Sequence, residues 1–233
     1  MFNLLPKANF SVLSSLAFRI KSLRQDFTSQ NSKYPSRLLK LSGHKLYACC
    51  AEYPDIDEYS KSFNLPDNFA TWLNITVLHM WLTLVRLRLE GEKSQAAKNA
   101  MIFVMWEDLT QRMKSIGYRK NTHAKVMVSK SILFGHMTGY DEALMKNQDT
   151  MLAAAVWRNL FAQDEQVNFN DIEKGVVYIR KNLEHISKIT TEEILGNGHI
   201  TFIRPDDNKF NKTYGSQRLH YCVNYPDFLI DPE

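Results

Sequence analysis

Three sets of residues in this 233-residue chain have the types and spacing to do chemistry. Glu107 and Asp108 stand side by side after Trp106, and neighbouring carboxylates can serve as acid and base or hold a metal ion. A bundle di-iron centre would also require Glu-x-x-His on two helices. No Glu in this chain has His three residues on. The plainer reading pairs Glu107 with Gln111 and Asp108 with Arg112 along a helix surface, at i, i+4 spacing. Cys49, Cys50 and Cys222 are odd in number and show no CxxC or Cys/His ligand spacing, which suits reduced thiols packed as small apolar groups. His79 sits in an apolar run and reads as a satisfied core histidine rather than a catalyst. The chain has no P-loop, Rossmann fingerprint, nucleophile elbow or HExxH. These observations predict a non-enzymatic protein with no metal and no cofactor.

The elements that must position these residues are helices. Residues 67–91 (DNFATWLNITVLHMWLTLVRLRLEG) predict one long helix, with Asp67 as its cap and Gly91 as its stop. Thr76, His79, Thr83, Arg86 and Glu90 share one stripe of it and nearly every other position is apolar, so other helices must wrap it. Arg86 is expected to be buried and paired with an acid from a facing helix. A helix over 36–51 carries Gly43 as a weak point, and 55–63 suits a short acidic helix. Residues 94–116 predict a helix burying Ile102, Met105, Trp106, Leu109, Met113 and Ile116. The next core helix, capped at Asn121 or Thr122, is expected to run through Val126, Ile132, Leu133, Phe134 and Met137 and to end at Gly139, leaving Tyr140-Asp141-Glu142 in a loop or short turn. Helices over 151–162 and from a cap at Asn170-Asp171 follow, the latter with Ile172, Val176, Ile179, Leu183 and Ile186 on one stripe. Thr190-Thr191-Glu192-Glu193 matches a capping box for a turn stopped at Gly196. HITFIR (199–204) is at most a lone strand or extended arm. The fold class is therefore all-α, a compact multi-helix bundle.

The net charge of +4 is unevenly placed. The first 45 residues hold eight basic residues against Asp26 alone, while the remainder holds 21 basic and 24 acidic residues. That front segment is rich in Ser and places Phe10, Leu13, Ala17 and Ile20 on one helical face. Basic, Ser-rich, acid-poor and amphipathic is the pattern of a mitochondrial presequence. The expected division is a targeting segment over 1–35, a helical domain over 36–205 and an irregular C-terminal tail over 206–233.

Five blocks in order, LHMWLTLVRLRLEG (78–91), MWEDLTQR (105–112), GYDEAL (139–144), LAAAVWRNLF (152–161) and VYIRKNL (177–183), closely resemble the ubiquinol-cytochrome c chaperone family over about residues 66–205. The resemblance implies an assembly factor of respiratory complex III that acts on newly made cytochrome b together with a small partner protein. It also implies a peripheral protein at the matrix face of the mitochondrial inner membrane, with no catalytic residues. Nine aromatic or charged residues from four of the blocks, Trp81, Arg86, Arg88, Glu107, Asp108, Tyr140, Asp141, Trp157 and Arg158, are the candidates for partner binding.

Between Asp108 and Asp141 the chain has no acidic residue but has Arg112, Lys114, Arg119, Lys120, Lys125 and Lys130. This run reads either as a solvated face or as a patch facing an anion, the mitochondrial ribosome or the anionic inner-membrane surface. DNA is not an expected partner, and the run is expected to lack exposed aromatics among its cations, which argues against sequence-specific RNA reading. A second class of function stays open: a helical-bundle enzyme or carrier enclosing a quinone, a lipid or another apolar cofactor, which would leave no motif.

Overall fold

Asn68, in an extended conformation, turns its side chain to accept the Thr71 N–H at 2.9 Å and starts the helix that organises the rest of the chain. The computed structural model describes residues 33–117 and 122–205. Within them lie α1 (Ser36–Glu52), α2 (Ile56–Ser62), α3 (Phe69–Arg88), a 3-10 turn (Gly91–Ser94), α4 (Gln95–Ser115), α5 (Thr122–Lys146), α6 (Asp149–Asn159), α7 (Phe169–Ser187) and a π-wound turn (Glu192–Asn197). No strand occurs among the described residues. The chain forms an all-α bundle, as its helical periodicity predicts.

Helix α3 is the centre. Every residue from 75 to 87 is buried, polar members of the stripe included. Helices α1, α2, α5 and α7 pack directly on it, α4 lies across α1, and α6 bridges α5 and α7. The apolar stripe of α7 is buried throughout, at Ile172, Val176, Ile179, Leu183 and Ile186. The capping box at Thr190 forms as expected, with the Thr190 N–H donating to Glu193 Oε2 (2.8 Å) and the Glu193 N–H to Thr190 Oγ1 (3.2 Å). Residues 199–204 form an arm with no regular secondary structure. In it Ile200 is buried, and the Ile203 N–H donates to Asn182 Oδ1 at 2.9 Å.

Several sequence expectations shift. The α3 cap is Asn68 rather than Asp67, and the α7 cap is Asn168 rather than Asn170-Asp171. Gly43 is no weak point. A Cβ there would lie 2.2 Å from the Ala97 carbonyl oxygen, so glycine is what lets α1 and α4 touch backbone to backbone. Helix α5 does not stop at Gly139 but runs on to Lys146, taking Tyr140, Asp141 and Glu142 with it. One glycine costs a helix only about 1 kcal/mol, and the contacts that Tyr140 and Asp141 make with α3 outweigh it. The turn after α7 is ended by Gly198, at φ +64°, rather than by Gly196. Along α4 the buried stripe is Met101, Val104, Met105, Asp108, Leu109 and Met113. Ile102 and Trp106 are half-buried and Ile116 is exposed, a rotation of part of a turn that brings Asp108 inward. The presequence-like segment, the C-terminal tail, Cys222, Arg119 and Lys120 lie outside the described residues, as does the side chain of Lys125.

Candidate partner-binding surface

The polar groups of the interior are consumed in bonds that hold helices together. Asp141 on α5 accepts both Arg88 terminal nitrogens (2.8 and 2.6 Å) and the Trp81 indole N–H (2.7 Å). The Trp81 ring lies 5.0 Å from that of Tyr140, so two aromatics and a bidentate ion pair clamp α5 to α3. Asp108 is buried, not on the surface as i, i+4 pairing alone would place it. It accepts from the Tyr47 hydroxyl (2.5 Å) and from Arg112 Nε (2.8 Å). Arg112 also donates to Glu52 (2.5 Å), and its guanidinium lies 4.3 Å from the Trp72 ring centroid. Burial raises the Glu52 carboxyl above its usual range while Arg112 pulls it back, and burial raises the Tyr47 phenol, with Asp108 adding to the shift.

Arg86 is buried and paired, though its partners are not a facing acid. Nη1 donates to Glu90 one turn on (2.8 Å), and Nε and Nη2 donate to the Ile189 carbonyl beyond α7 (3.1 and 2.7 Å). The facing element thus supplies a backbone acceptor, which no side-chain pattern announces. His79 is a satisfied core histidine. Its Nδ1 is 2.7 Å from the Ile75 carbonyl, and its Nε2 is 2.7 Å from the Tyr178 hydroxyl and 3.2 Å from that of Tyr59. Desolvation pushes its pKa down to about 4. Cys49 and Cys50 are buried free thiols, both raised by burial and therefore poor nucleophiles. Among the described residues no group of three or more His, Cys, Asp or Glu is placed to hold a metal ion.

Of the nine residues singled out for partner binding, Trp81, Arg86, Arg88, Asp108, Tyr140 and Asp141 are thus built into the folded interior or clamp it together. Glu107 and Trp157 are half-buried, the Trp157 indole donating to the Asp164 carbonyl at 2.9 Å, and Arg158 is exposed. The basic run divides likewise. Arg112 is neutralised by Asp108 and Glu52, Lys114 is exposed, and the Lys130 ammonium lies 5.2 Å from the Trp106 ring centroid. Exposed aromatics do stand beside these cations, contrary to the sequence expectation. Phe103 is 52% and Phe134 39% exposed, and Ile132 is 52% exposed. A signal for them existed, because Ile132, Leu133 and Phe134 are consecutive and a helix turns each residue about 100° from the last, so the three cannot all face inward.

The ubiquinol-cytochrome C chaperone family model matches residues 61–202, the stretch running from the end of α2 through the arm after α7. The chain belongs to this family. It is 33% identical over 171 residues to the ubiquinol-cytochrome-c reductase complex assembly factor 1 of Xenopus laevis, covering 73% of this chain and 84% of that one. Against the Homo sapiens protein of that name the identity is 30%, covering 73% of this chain and 56% of that one. Against the mitochondrial protein CBP3 of Saccharomyces cerevisiae it is 28%, with 71% and 53% covered. The chain therefore spans little more than half the length of the human and yeast proteins. A crystal structure of the Cbp3 homolog from Brucella abortus shares the fold, with a TM-score of 0.58 at 16% identity over 85% of this chain and 98% of that one.

Proposed function

We propose that this protein is an assembly chaperone for the mitochondrial ubiquinol-cytochrome c reductase complex, binding newly synthesised cytochrome b together with a small partner protein and supporting its synthesis or insertion. The observation that carries this reading is family membership across residues 61–202, the stretch that contains the whole of the central helix and most of its wrapping. The names of the frog, human and yeast relatives support the assembly role and the mitochondrial location. The chemistry of the interior agrees with it. The buried polar groups are satisfied within the chain, Asp108 by Tyr47 and Arg112, Arg86 by Glu90 and the Ile189 carbonyl, and His79 and Tyr178 by each other, Tyr59 and the Ile75 carbonyl, which suits holding a shape better than turning over a substrate. No described helix is long and apolar enough to cross a membrane, and we place the protein peripherally on the matrix side of the inner membrane. Contact with partners falls to surface groups, and of the nine residues singled out for it Arg158, Trp157 and Glu107 are still accessible.

The test is an affinity pull-down of the full chain from mitochondria engaged in protein synthesis, with attached proteins identified. Recovery of unassembled cytochrome b with one small protein is the expected result. Recovery of neither, together with a quinone or lipid in organic extracts of the purified protein, would replace this reading with that of a carrier.

A further inference from the structure

The outward side of α5 is apolar, and the packing of this chain does not account for it. A helix turns each residue about 100° from the last. Leu133, Met137, Tyr140 and Leu144, all buried, put the core on one side of α5, so Ser131, Gly135, Thr138 and Glu142 point away from it. Exposed apolar side chains flank that outward line. Phe134 and Met145 stand along the edge where α4 packs, with the Phe134 ring 6.4 Å from that of Trp106. Ile132 stands on the other edge, the side on which Asn159 of α6 donates to the His136 carbonyl at 2.9 Å. The floor between the edges is small, because Ser131, Gly135 and Gly139 recur at i, i+4 and i+8. Thr138 donates its hydroxyl to the Phe134 carbonyl at 2.9 Å, and residues 131–140 include no Asp, Glu, Lys or Arg.

Gly135 decides what this face is for. Glycine is the poorest ordinary residue for a helix interior, and in α1 and α7 its presence is explained within the fold. A Cβ at Gly43 would strike the Ala97 carbonyl, and one at Gly175 would strike the Val156 side chain. One at Gly135 would meet no described atom within 4 Å outside its own helix backbone. The chain's own packing therefore gives this glycine no reason, and the reason glycine has in helix pairs is to let a second backbone come close. We infer that this face receives an uncharged, apolar α-helix, and that the occupant is a membrane-spanning segment of the client in the assembly reading, on which this inference rests. The main-chain donors and acceptors of α5 are bonded within the helix, so an extended peptide finds nothing to pair with. A charged surface would be desolvated against ten residues that offer no counter-charge. A membrane-spanning helix is predominantly apolar over about 20 residues, and its close packing uses the spacing of small residues found here. Ile132, Phe134 and Met145 would line its sides.

The experiment is labelled protein synthesis in mitochondria that contain the full chain as wild type, Gly135→Leu or Ile132→Ser. The chain is then captured, and the cytochrome b and small partner bound to it are quantified. Gly135→Leu should keep the small partner but lose cytochrome b at least roughly fivefold, the low end of the effect of one side chain forced into a packed contact. Its melting temperature should equal or exceed that of wild type, because leucine favours the helix and its Cβ meets nothing in the described chain. Ile132→Ser should lower cytochrome b recovery several-fold. Undiminished recovery by Gly135→Leu would overturn the inference and leave the assembly reading intact, whereas no recovery by the wild type would remove that reading and the inference with it. A lowered melting temperature of Gly135→Leu would also overturn it, by placing the glycine in the chain's own packing. So would loss of the small partner, or of self-association by the purified chain, with cytochrome b retained, since the face would then belong to that partner or to a second copy.

Discussion

The interior around α3 and the outer side of the α4–α5 hairpin reverse the usual distribution of residue types. Inside, His79, Arg86, Arg88, Asp108 and Asp141 are buried or half-buried among apolar helices. Outside, Phe103, Ile132 and Phe134 face water. The two departures call for different explanations. Each of these internal polar groups has identified partners, so it fixes which helix sits where; the Asp141 clamp and the Asp108–Arg112 pair each set one register. The external apolar groups are covered only in part, Phe134 by the Trp106 ring, so they can be changed without opening the core. Residues that stand out chemically are therefore the structural ones here, and the residues open to partners look ordinary in sequence.

The largest effect expected on that contrast comes from Asp108→Ala. It leaves the Tyr47 hydroxyl without its acceptor and Arg112 with Glu52 alone, and removing one member of a buried pair costs about 3–5 kcal/mol. Denaturant unfolding of the full chain measures it. An unchanged midpoint with lost partner binding would move Asp108 from the frame to the contact surface and break the comparison.

Acidification should bring the next largest loss of stability. His79 has a pKa lowered to about 4 by desolvation, so between pH 6.5 and 4 the unfolded chain takes up a proton that the folded chain refuses. Its contribution is intact above pH 6.5 and is lost as pH falls through that window, by about 3 kcal/mol in all. Stability measured from pH 7 to 4 should fall accordingly, and His79→Gln should flatten that part of the curve. A slope unchanged by His79→Gln would show that the histidine is already solvated. A smaller loss, about 1–3 kcal/mol of thermal or denaturant stability, is expected for Gly43→Ala, whose methyl would meet the Ala97 carbonyl and push α1 away from α4. An undiminished melting temperature would mean that the two helices can separate freely.

The helical elements are legible in the sequence wherever a local signal suffices. The α7 stripe and the Thr190–Glu193 box follow from spacing, and both form as expected. The long core helix is readable from its apolar run, with its cap displaced by one residue. Interactions between distant parts of the chain are not readable. Helix α5 passes through Gly139 because Asp141 reaches Arg88 and Trp81 across the bundle, and nothing near Gly139 carries that information. Spacing predicts a buried Arg86, but its acceptor is the Ile189 backbone carbonyl, a group every residue has. The family resemblance marks the right blocks without distinguishing residues that hold the frame from those that face partners; burial makes that distinction. The exposed face escapes for another reason. In sequence the basic run stands out by its charge alone, and helical spacing assigns the apolar residues between its cations to the core.

The smallest stability effect is the most discriminating. Ile132 is 52% exposed, so its replacement by Ser should alter unfolding free energy by no more than about 0.5 kcal/mol, the range of surface substitutions that break no specific contact. In this the α5 outer face should differ from every internal position discussed above. Denaturant unfolding of Ile132→Ser should therefore stay near wild type. Loss of stability as large as that of Gly43→Ala would instead make Ile132 part of the core packing, and the outer face would then be an extension of the interior rather than its opposite.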